Sequence, residues 1–136
     1  MKIGIDFHGV IDRYPDLFSE HSRVWIAKGY EVHIITGREW DIAGPKVDKL
    51  NVSHTHHYSI VDFHQRNGTV MEKRKNSWWM DEEVWQRSKG EYCSRQSIDV
   101  HFDNDLNYAR YFPPTCRFVW VHQENHQLFL DMLNSL

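Results

Sequence analysis

The first third of the chain alternates short apolar runs with a segment of helical periodicity. Residues 2–7 and residues 31–36 are apolar runs of the length typical of buried strands. Between them, residues 15–29 carry apolar side chains at helical spacing and end in a glycine, which predicts a helix. A second, short helix is predicted over residues 45–50, because Pro45 suits a first helical turn.

The middle of the chain has a weaker pattern. A strand is predicted around residues 58–62, and the Asn-Gly pair at residues 67–68 favours a hairpin turn. Residues 73–76 form a charged segment that we interpret as an exposed loop. Asp81 is placed to cap a short helix that extends through residue 85, and a separate helix is predicted over residues 89–96.

The last third is regular again and completes the fold prediction. Residues 98–102 and 117–121 are predicted strands, with a short helix between them, and residues 127–136 form an amphipathic terminal helix. Strands that alternate with helices predict an α/β fold, in which a central parallel sheet lies between two helical layers. Ligands of such sheets bind beyond the carboxyl ends of the strands.

Length and composition indicate one domain. The chain has 136 residues, of which 40% are hydrophobic and 26% charged, as expected for a single globular core. We therefore predict one domain over residues 1–136 with a small insert at about residues 54–88. This insert is too short for a large cap domain, so we expect an open site.

Charge and hydropathy narrow the classes of binding partner to be expected. The net charge of −3 gives no basic face for nucleic acid, and no run approaches the roughly 18 apolar residues of a membrane span. The start of the chain lacks the apolar core of a signal peptide, so a cytoplasmic location is expected. Cys93 and Cys116 are then predicted to be reduced thiols.

Polar groups that suit catalysis lie next to the predicted core strands. Each is weak evidence alone, because an acid after a strand is often only a helix cap. Their order along the chain, with each one placed against a core strand, makes a common site the better interpretation. They are Asp6 with His8, Thr36, Lys89, and Asp103 with Asp105.

Phosphoryl transfer is the chemistry that these residue types favour. A phosphoryl group carries several negative oxygens, so an attacking carboxylate needs positive charge beside it. Mg²⁺ prefers oxygen ligands and often binds one or two carboxylates, here Asp6 and Asp103. The Thr36 hydroxyl would bind phosphate oxygens, Lys89 would offset negative charge, and His8 would protonate the leaving oxygen.

Four motifs of the chain resemble those of the haloacid dehalogenase superfamily, whose members are mostly phosphatases. Residues 6–11 (DFHGVI) resemble the first motif, an aspartate nucleophile followed two residues later by a second acid. Residues 34–38 (IITGR) resemble the second, a phosphate-binding Thr or Ser. Residues 89–93 (KGEYC) and 98–103 (IDVHFD) resemble the third and fourth motifs.

The resemblance implies a Rossmann-like fold and a small capless phosphatase. Its substrate would be a small phosphomonoester such as a nucleotide or sugar phosphate, hydrolysed through an aspartyl-phosphate on Asp6. It also implies Mg²⁺ bound by Asp6, by the backbone carbonyl of His8 and by Asp103. Asp105 would bind the ion through water, or else cap the following helix.

One position departs from the family's pattern. The chain has His8 where the phosphatases of the family have the aspartate that serves as general acid and base. An imidazole can do the same work near neutral pH. The alternative is a phosphate- or nucleotide-binding protein with little or no turnover.

Other residues near the motifs have two interpretations each. Gly37 and Arg38 are predicted to contact substrate phosphate with Thr36 and Lys89, although Arg38 suits an exposed loop equally well. Lys73 and Lys75 are rivals of Lys89, and a solvated charge run is the simpler interpretation of both.

Histidines and tryptophans of the insert also have alternatives. The His54, His56 and His57 cluster suggests a zinc site, but surface or packing histidines are the simpler interpretation. Trp78, Trp79 and Trp85 are core residues or the wall of a substrate pocket.

Overall fold

A five-stranded parallel sheet forms the centre of the protein. The computed structural model describes all 136 residues. The strands are β1 (Lys2–Ile5), β2 (Glu31–Thr36), β3 (His56–Ser59), β4 (Glu72–Arg74), β5 (Ser77–Trp79), β6 (Val100–Asp103) and β7 (Arg117–Trp120). The central sheet has the order β3-β2-β1-β6-β7, and β4 and β5 form a separate antiparallel hairpin.

Five helices cover the two faces of this sheet. They are α1 (Pro15–Ala27), α2 (Trp40–Lys49), α3 (Ile60–Arg66), α4 (Glu82–Gln96) and α5 (His126–Ser135). Short 3-10 turns occur at Leu106–Tyr111 and Gln123–Asn125, and a wide, kinked turn spans Phe7–Ile11. None of the helices combines the length and the apolar character needed to cross a bilayer.

Two apolar clusters, one on each face of the sheet, hold the layers together. The larger cluster joins the sheet to α1, α2 and α5, with Phe18 and Phe129 stacked at 5.9 Å between ring centroids. The smaller cluster joins it to α3 and α4 through Tyr58, Tyr92 and Cys93. The structure thus confirms the predicted α/β fold, a Rossmann-like three-layer arrangement with no large cap domain.

The strand order places a crevice at the carboxyl end of β1. The chain runs outward from β1 to β2 and β3, and then continues on the other side of β1 with β6 and β7. Connections therefore diverge above β1, which leaves a gap at the point where ligands of open α/β sheets bind. Asp6 follows β1 directly, and the last residues of β2 and β6 lie beside it.

Helix α2 begins earlier than the sequence pattern predicted. It starts at Trp40, so Pro45 lies inside the helix and not in its first turn. The Trp40 backbone N–H donates to Asp62 Oδ2 at 3.0 Å, and its indole packs against Gly44. The carbonyl that Pro45 leaves without a partner belongs to the exposed Asp41, where water can hydrate it.

The strand and hairpin predictions for the middle of the chain were wrong in position. Strand β3 ends at Ser59, whose side chain accepts from the Asp62 N–H at 3.1 Å and so begins α3. Asn67 and Gly68 end that helix instead of turning a hairpin, with Gly68 at a φ of +68°. The hairpin instead turns within residues 73–76, the segment predicted to be an exposed loop.

Helix α4 replaces two helices of the sequence prediction. It is continuous over 15 residues, and the predicted cap is confirmed, since Asp81 Oδ1 accepts from the Val84 N–H at 3.1 Å. Gly90 lies inside the helix and does not interrupt it. The backbone of Tyr111 packs so closely at this position that a side chain would not fit. The other predicted strands and helices lie within a few residues of their observed positions, and Cys93 and Cys116 are free thiols.

Candidate active site

The crevice beyond the carboxyl end of β1 is a cavity of about 470 Å³. It is open to solvent on one side, and its floor and walls combine charged groups with aromatic rings. The polar groups that line it include Asp6, Thr36, Arg38, Lys89, Asn104 and Asp105, and the rings belong to Trp78, Trp85 and Tyr108.

A buried lysine joins two buried carboxylates at the floor. Lys89 Nζ donates to Asp6 Oδ1 and to Asp103 Oδ2, each at 2.9 Å. All three side chains are at least 90% buried, and the Lys89 ammonium also lies 4.6 Å from the centroid of the Tyr108 ring. Helix α4 supplies the lysine, so the predicted choice of Lys89 over Lys73 and Lys75 agrees with the geometry. Lys73 and Lys75 lie in the exposed hairpin.

The two carboxylates have different electrostatic surroundings. Burial raises the pKa of Asp6 to about 7 against the opposing effect of Lys89, and the neighbouring Asp103 charge adds to the rise. Burial acts in the same direction on Asp103, but Lys89 and His101 together hold the pKa of Asp103 below its usual range. One ammonium is thus shared by two carboxylates at equal distances, so a further positive charge beside Asp6 would favour its ionised form.

Asp103 lies behind the site and not on the wall of the crevice. Its Oδ2 also accepts from His101 Nε2 at 2.9 Å, and its Oδ1 accepts from the Asp105 N–H at 3.1 Å. With no exposed surface, this carboxylate has no free face toward the crevice. The predicted direct contact between Asp103 and a metal ion is thus not supported by the geometry, and the residue positions Lys89 instead.

Asn104, which the sequence analysis overlooked, takes the place predicted for Asp103. With its nitrogen turned toward them, its amide donates to the His8 carbonyl at 3.0 Å and to Asp6 Oδ2 at 3.1 Å. Gly9, at a φ of +77°, permits this close approach, because a side chain there would collide with the amide of Asn104. The only signal in the sequence was its position directly after a buried strand.

These atoms are suited to a hard cation. Asp6 Oδ2 and the His8 carbonyl oxygen converge on one side-chain amide, whose own oxygen can replace its nitrogen by a half-turn. In that orientation three oxygens would face each other, an arrangement that requires a cation. Oxygen donors, one of them an ionisable carboxylate, are the preference of Mg²⁺. The donor set therefore fits the predicted ion with Asn104 in place of Asp103.

Asp105 lines the crevice and also caps the turn that follows. Its Oδ1 accepts from the Asn107 N–H at 2.9 Å, whereas its Oδ2 has no hydrogen-bond partner within the chain. Of the two predicted roles, the cap is observed. The free Oδ2 remains available to a water molecule on a bound ion.

The His8 ring lies at the surface and forms no hydrogen bond with Asp6. The ring is 91% exposed, and its Nδ1 lies 3.2 Å from Asp12 Oδ2. Asp12 also holds the loop, because its Oδ1 accepts from the Gly9 N–H at 2.6 Å. The His8 carbonyl oxygen lies 3.0 Å from the Asn104 amide, whereas the predicted acid–base role requires the ring to turn toward the crevice.

The residues after β2 form the opposite wall. Thr36 is buried, and its Oγ1 accepts weakly from the Arg38 N–H at 3.4 Å. Arg38 itself is half exposed, with its Nε 3.9 Å from Glu39 Oε1. Thr36, Gly37 and Arg38 all line the crevice, so the geometry permits the substrate contacts predicted for them.

Aromatic rings cover the outer part of the crevice. Trp85 packs against Gly37, and its Nε1 donates to the Tyr108 hydroxyl at 2.9 Å. Trp78 extends from the β4–β5 hairpin into the same wall, while Trp79 is exposed and lines a neighbouring cavity along the hairpin. Trp78 and Trp85 therefore match the pocket interpretation, and Tyr108 is a ring that sequence reasoning missed.

The three histidines of the insert do not form one cluster. His54 and His57 pack on the indole of Trp40, with the His57 ring stacked at 4.0 Å between centroids. His56 stacks instead on His33 of the neighbouring strand. A zinc site made of these three residues is therefore not observed.

Comparison with protein-family models gave no match, and comparison with curated proteins gave none either. The function proposed below is therefore supported by the motifs of the chain and by the geometry of the crevice.

Proposed function

We propose that this protein is a Mg²⁺-dependent phosphohydrolase that acts on a small phosphomonoester through a covalent intermediate on Asp6. The observation that carries the proposal is the buried carboxylate–lysine–carboxylate arrangement at the carboxyl end of β1. It places a carboxylate at the floor of an open crevice beside a fixed ammonium group. Charge fixed in place before the reaction is the main requirement of phosphoryl transfer.

In the proposed reaction the Asp6 carboxylate attacks phosphorus, and the bond from phosphorus to the leaving oxygen breaks. A water molecule then attacks the same phosphorus and releases phosphate, which regenerates the Asp6 carboxylate. The Lys89 ammonium and the Thr36 hydroxyl bind oxygens of the transferred group. Asp103 positions Lys89 from behind, because it lies within hydrogen-bond distance of the ammonium and is held by His101.

Asp6, the His8 carbonyl and Asn104 would hold the Mg²⁺ ion, with Asp105 contributing through water. Bound there, the ion would supply the positive charge that keeps Asp6 ionised and offsets the charge of the phosphoryl oxygens. The chain provides these oxygens on a loop and at a strand end, held by the turn at Gly9 and by β6.

His8 would act as acid and then as base once its ring turns from Asp12 toward the crevice. The ring can do so, because it is largely exposed and its ion pair with Asp12 lies at the surface. Asp12 would then no longer contact the His8 ring. It would still hold the loop after β1, because its Oδ1 accepts from the Gly9 N–H.

The aromatic wall favours a substrate with a planar organic part. Trp78, Trp85 and Tyr108 line the outer part of the crevice, and each ring offers a face or an edge for stacking. A second cavity along the hairpin shares these three rings, so the wall extends beyond the phosphate end. A nucleotide suits this wall better than a sugar phosphate does.

A panel of phosphomonoesters, assayed with Mg²⁺ at several pH values, tests the proposal. Asp6→Asn should lower kcat by at least about 10³-fold, because it removes the nucleophile with little change of shape. Asp16→Asn, an exposed acid on α1, is the matched control and should keep full activity. Full activity in Asp6→Asn, or turnover unaffected by EDTA, would refute the mechanism.

The second candidate function is phosphate or nucleotide binding without turnover. It is favoured by the His8 ring, which lies at the surface and leaves Asp6 without a nearby acid–base group. In that case ligand and Mg²⁺ raise the melting temperature while no phosphate is released. A gain of phosphatase activity in His8→Asp, from a silent wild-type protein, would favour this candidate.

A further inference from the structure

Three metal-ligand side chains lie together at the amino ends of β2 and β3, away from the crevice. One carboxylate oxygen of Glu31 and one ring nitrogen each of His33 and His56 lie within 4.8 Å of one another. Glu31 and His33 are two residues apart on β2, so they share a face of the sheet. His56 lies directly beside His33 on β3. The parallel pairing of the two strands therefore brings the three groups together.

Their separations are close to those of a tetrahedral site. Glu31 Oε1 is 2.9 Å from His33 Nε2 and 3.8 Å from His56 Nδ1. Ligand atoms bound to Zn²⁺ at 2.0–2.1 Å lie roughly 3.3 Å apart in a tetrahedral arrangement. The His33 and His56 rings stack face to face, so the half-exposed His56 ring must turn out of this stack before both nitrogens can face one ion. It gives up a bond to Thr55 Oγ1 to do so.

Tyr92 forms a hydrogen bond with the other ring nitrogen of His33, the buried member of the three. His33 Nδ1 lies 2.7 Å from the Tyr92 hydroxyl, and the imidazole is fully buried. A hydroxyl can accept from Nδ1–H, which leaves the Nε2 lone pair free for a metal ion. Burial also lowers the pKa of His33 despite the opposing effect of Glu31, so the ring is neutral, the form that binds metals.

We infer that Glu31, His33 and His56 form a second metal site, which binds Zn²⁺. Two imidazoles and one carboxylate suit a borderline ion, whereas Mg²⁺ and Ca²⁺ prefer oxygen ligands alone. Three protein ligands leave a fourth position for water. Lys2 lies next to the site, with its Nζ 3.9 Å from the other Glu31 oxygen, and that oxygen need not bind the ion.

The site is separate from the crevice. Glu31 begins β2 and Thr36 ends it, so the two sites lie at opposite ends of the strand, roughly 16 Å apart at the usual rise per residue. A bound ion would tie the edge strand β3 to β2 and, through Tyr92, to α4. We therefore expect it to stabilise the open edge of the sheet.

A titration with Co²⁺, the spectroscopic substitute for Zn²⁺, tests the inference. The full chain, free of any affinity tag and stripped with a chelator, is titrated in excess Mg²⁺, so that the oxygen site near Asp6 is already saturated. Strong visible absorption of tetrahedral Co²⁺ should saturate at one equivalent, and Zn²⁺ should abolish it. Zn²⁺ at a hundredfold excess over its Kd should raise Tm by roughly 5–10 °C.

Three variants locate the ion. His56→Ala should weaken Co²⁺ binding by more than about 100-fold, and Tyr92→Phe by about 10–100-fold, the usual effect of losing an outer partner. His57→Ala is the matched control, because it is the next residue on β3 and its ring packs on Trp40 on the opposite face. His57→Ala should bind Co²⁺ as the wild type does.

Three results would overturn the inference. They are the absence of tetrahedral absorption in the wild type, unchanged affinity in His56→Ala, and equal loss in His56→Ala and His57→Ala. Because His56 is exposed, His56→Ala should fold, and circular dichroism checks this before titration. If it does not fold, Glu31→Gln, another change at the surface, replaces it with the same expected loss.

Discussion

At the scale of the residue, the side-chain amide of Asn104 lies against both oxygens of the candidate metal site that come from the segment after β1. It faces Asp6 Oδ2 and the His8 carbonyl, one from each side of the turn that follows β1. An amide is stable at this position with or without a cation. Without one, its N–H group donates to the two oxygens, and with one, its own oxygen can bind the ion. A carboxylate at the same place would be repelled by Asp6 unless a cation lay between them.

Asn104→Asp should therefore make the protein depend on Mg²⁺. Without the ion, the added carboxylate next to Asp6 should lower the free energy of unfolding by about 1–3 kcal/mol. With the ion, the lost stability should return, and Mg²⁺ should bind about tenfold more tightly because the site gains a charged ligand. Urea unfolding and calorimetric titration measure the two effects.

Asn76→Asp is the control for this change. It adds the same charge in the exposed hairpin and should alter neither stability nor Mg²⁺ affinity. If Asn104→Asp lost the same stability with and without Mg²⁺, no cation would bind between these oxygens.

At the scale of the element, α4 decides where the lysine of the site lies. The helix begins beyond the hairpin, is capped by Asp81, and runs along the smaller apolar cluster so that Lys89 reaches both carboxylates. The 3-10 turn at Leu106–Tyr111 packs against its middle. This packing brings Tyr108 over Lys89 and is possible because Gly90 has no side chain.

Gly90→Ala should be destabilising although alanine favours helices. A Cβ atom at this position would collide with the Tyr111 carbonyl, which is backbone and cannot rotate away. We expect a loss of about 1–3 kcal/mol in the free energy of unfolding, the usual cost of overpacking. Ser94→Ala, at an exposed position of the same helix, should be neutral or slightly stabilising. A stable Gly90→Ala protein would show that this contact is loose.

At the scale of the whole molecule, buried histidines link stability to pH. His64 lies between Thr69 Oγ1 at 2.7 Å and Ser88 Oγ at 2.8 Å, and it packs α3 against α4. Burial lowers its pKa, and burial also lowers the pKa values of His33 and His101. Each of these rings is neutral in the folded protein and takes up a proton more readily when unfolded.

The free energy of unfolding should therefore decrease as the pH falls below about 6.5, the ordinary histidine pKa. Above that pH the histidine contribution is fully present, because neither state is protonated. Asp6 acts in the opposite direction. Its pKa of about 7 in the folded protein lies above the ordinary pKa of an aspartate, so the folded state takes up a proton first. The free energy of unfolding therefore rises as the pH falls between these two pKa values. The proton uptake of three histidines on unfolding should outweigh the proton release of this one acid.

His64→Gln keeps hydrogen-bonding atoms at this place but does not titrate. It should reduce the proton uptake on unfolding by up to about one proton near pH 6. Urea unfolding at a series of pH values, with a chelator present, measures the slope. Equal slopes in the variant and the wild type would exclude His64 as a contributor.

Local pattern and parallel-sheet geometry were enough to predict much of this protein from its sequence. Short apolar runs and helical spacing predict the α/β fold, because the periods of strand and helix depend on neighbouring residues. The carboxyl ends of parallel strands meet at one edge, so Asp6 and Thr36 were expected at a common site. The helix that carries Lys89 was also recognised, although its length was not.

Tertiary structure alone decided which groups face each other. Asp103 ends β6 and turns under Lys89, whereas Asn104 leaves the strand and faces the crevice, a difference that depends on one residue of strand register. The pairing of β2 with β3 likewise brings Glu31 and His33 together with the distant His56. The sequence determined the layers and the candidate chemistry, because both depend on local order. The contacts between segments that are far apart in the chain determined the metal ligands and the direction of the His8 ring, because packing fixes both.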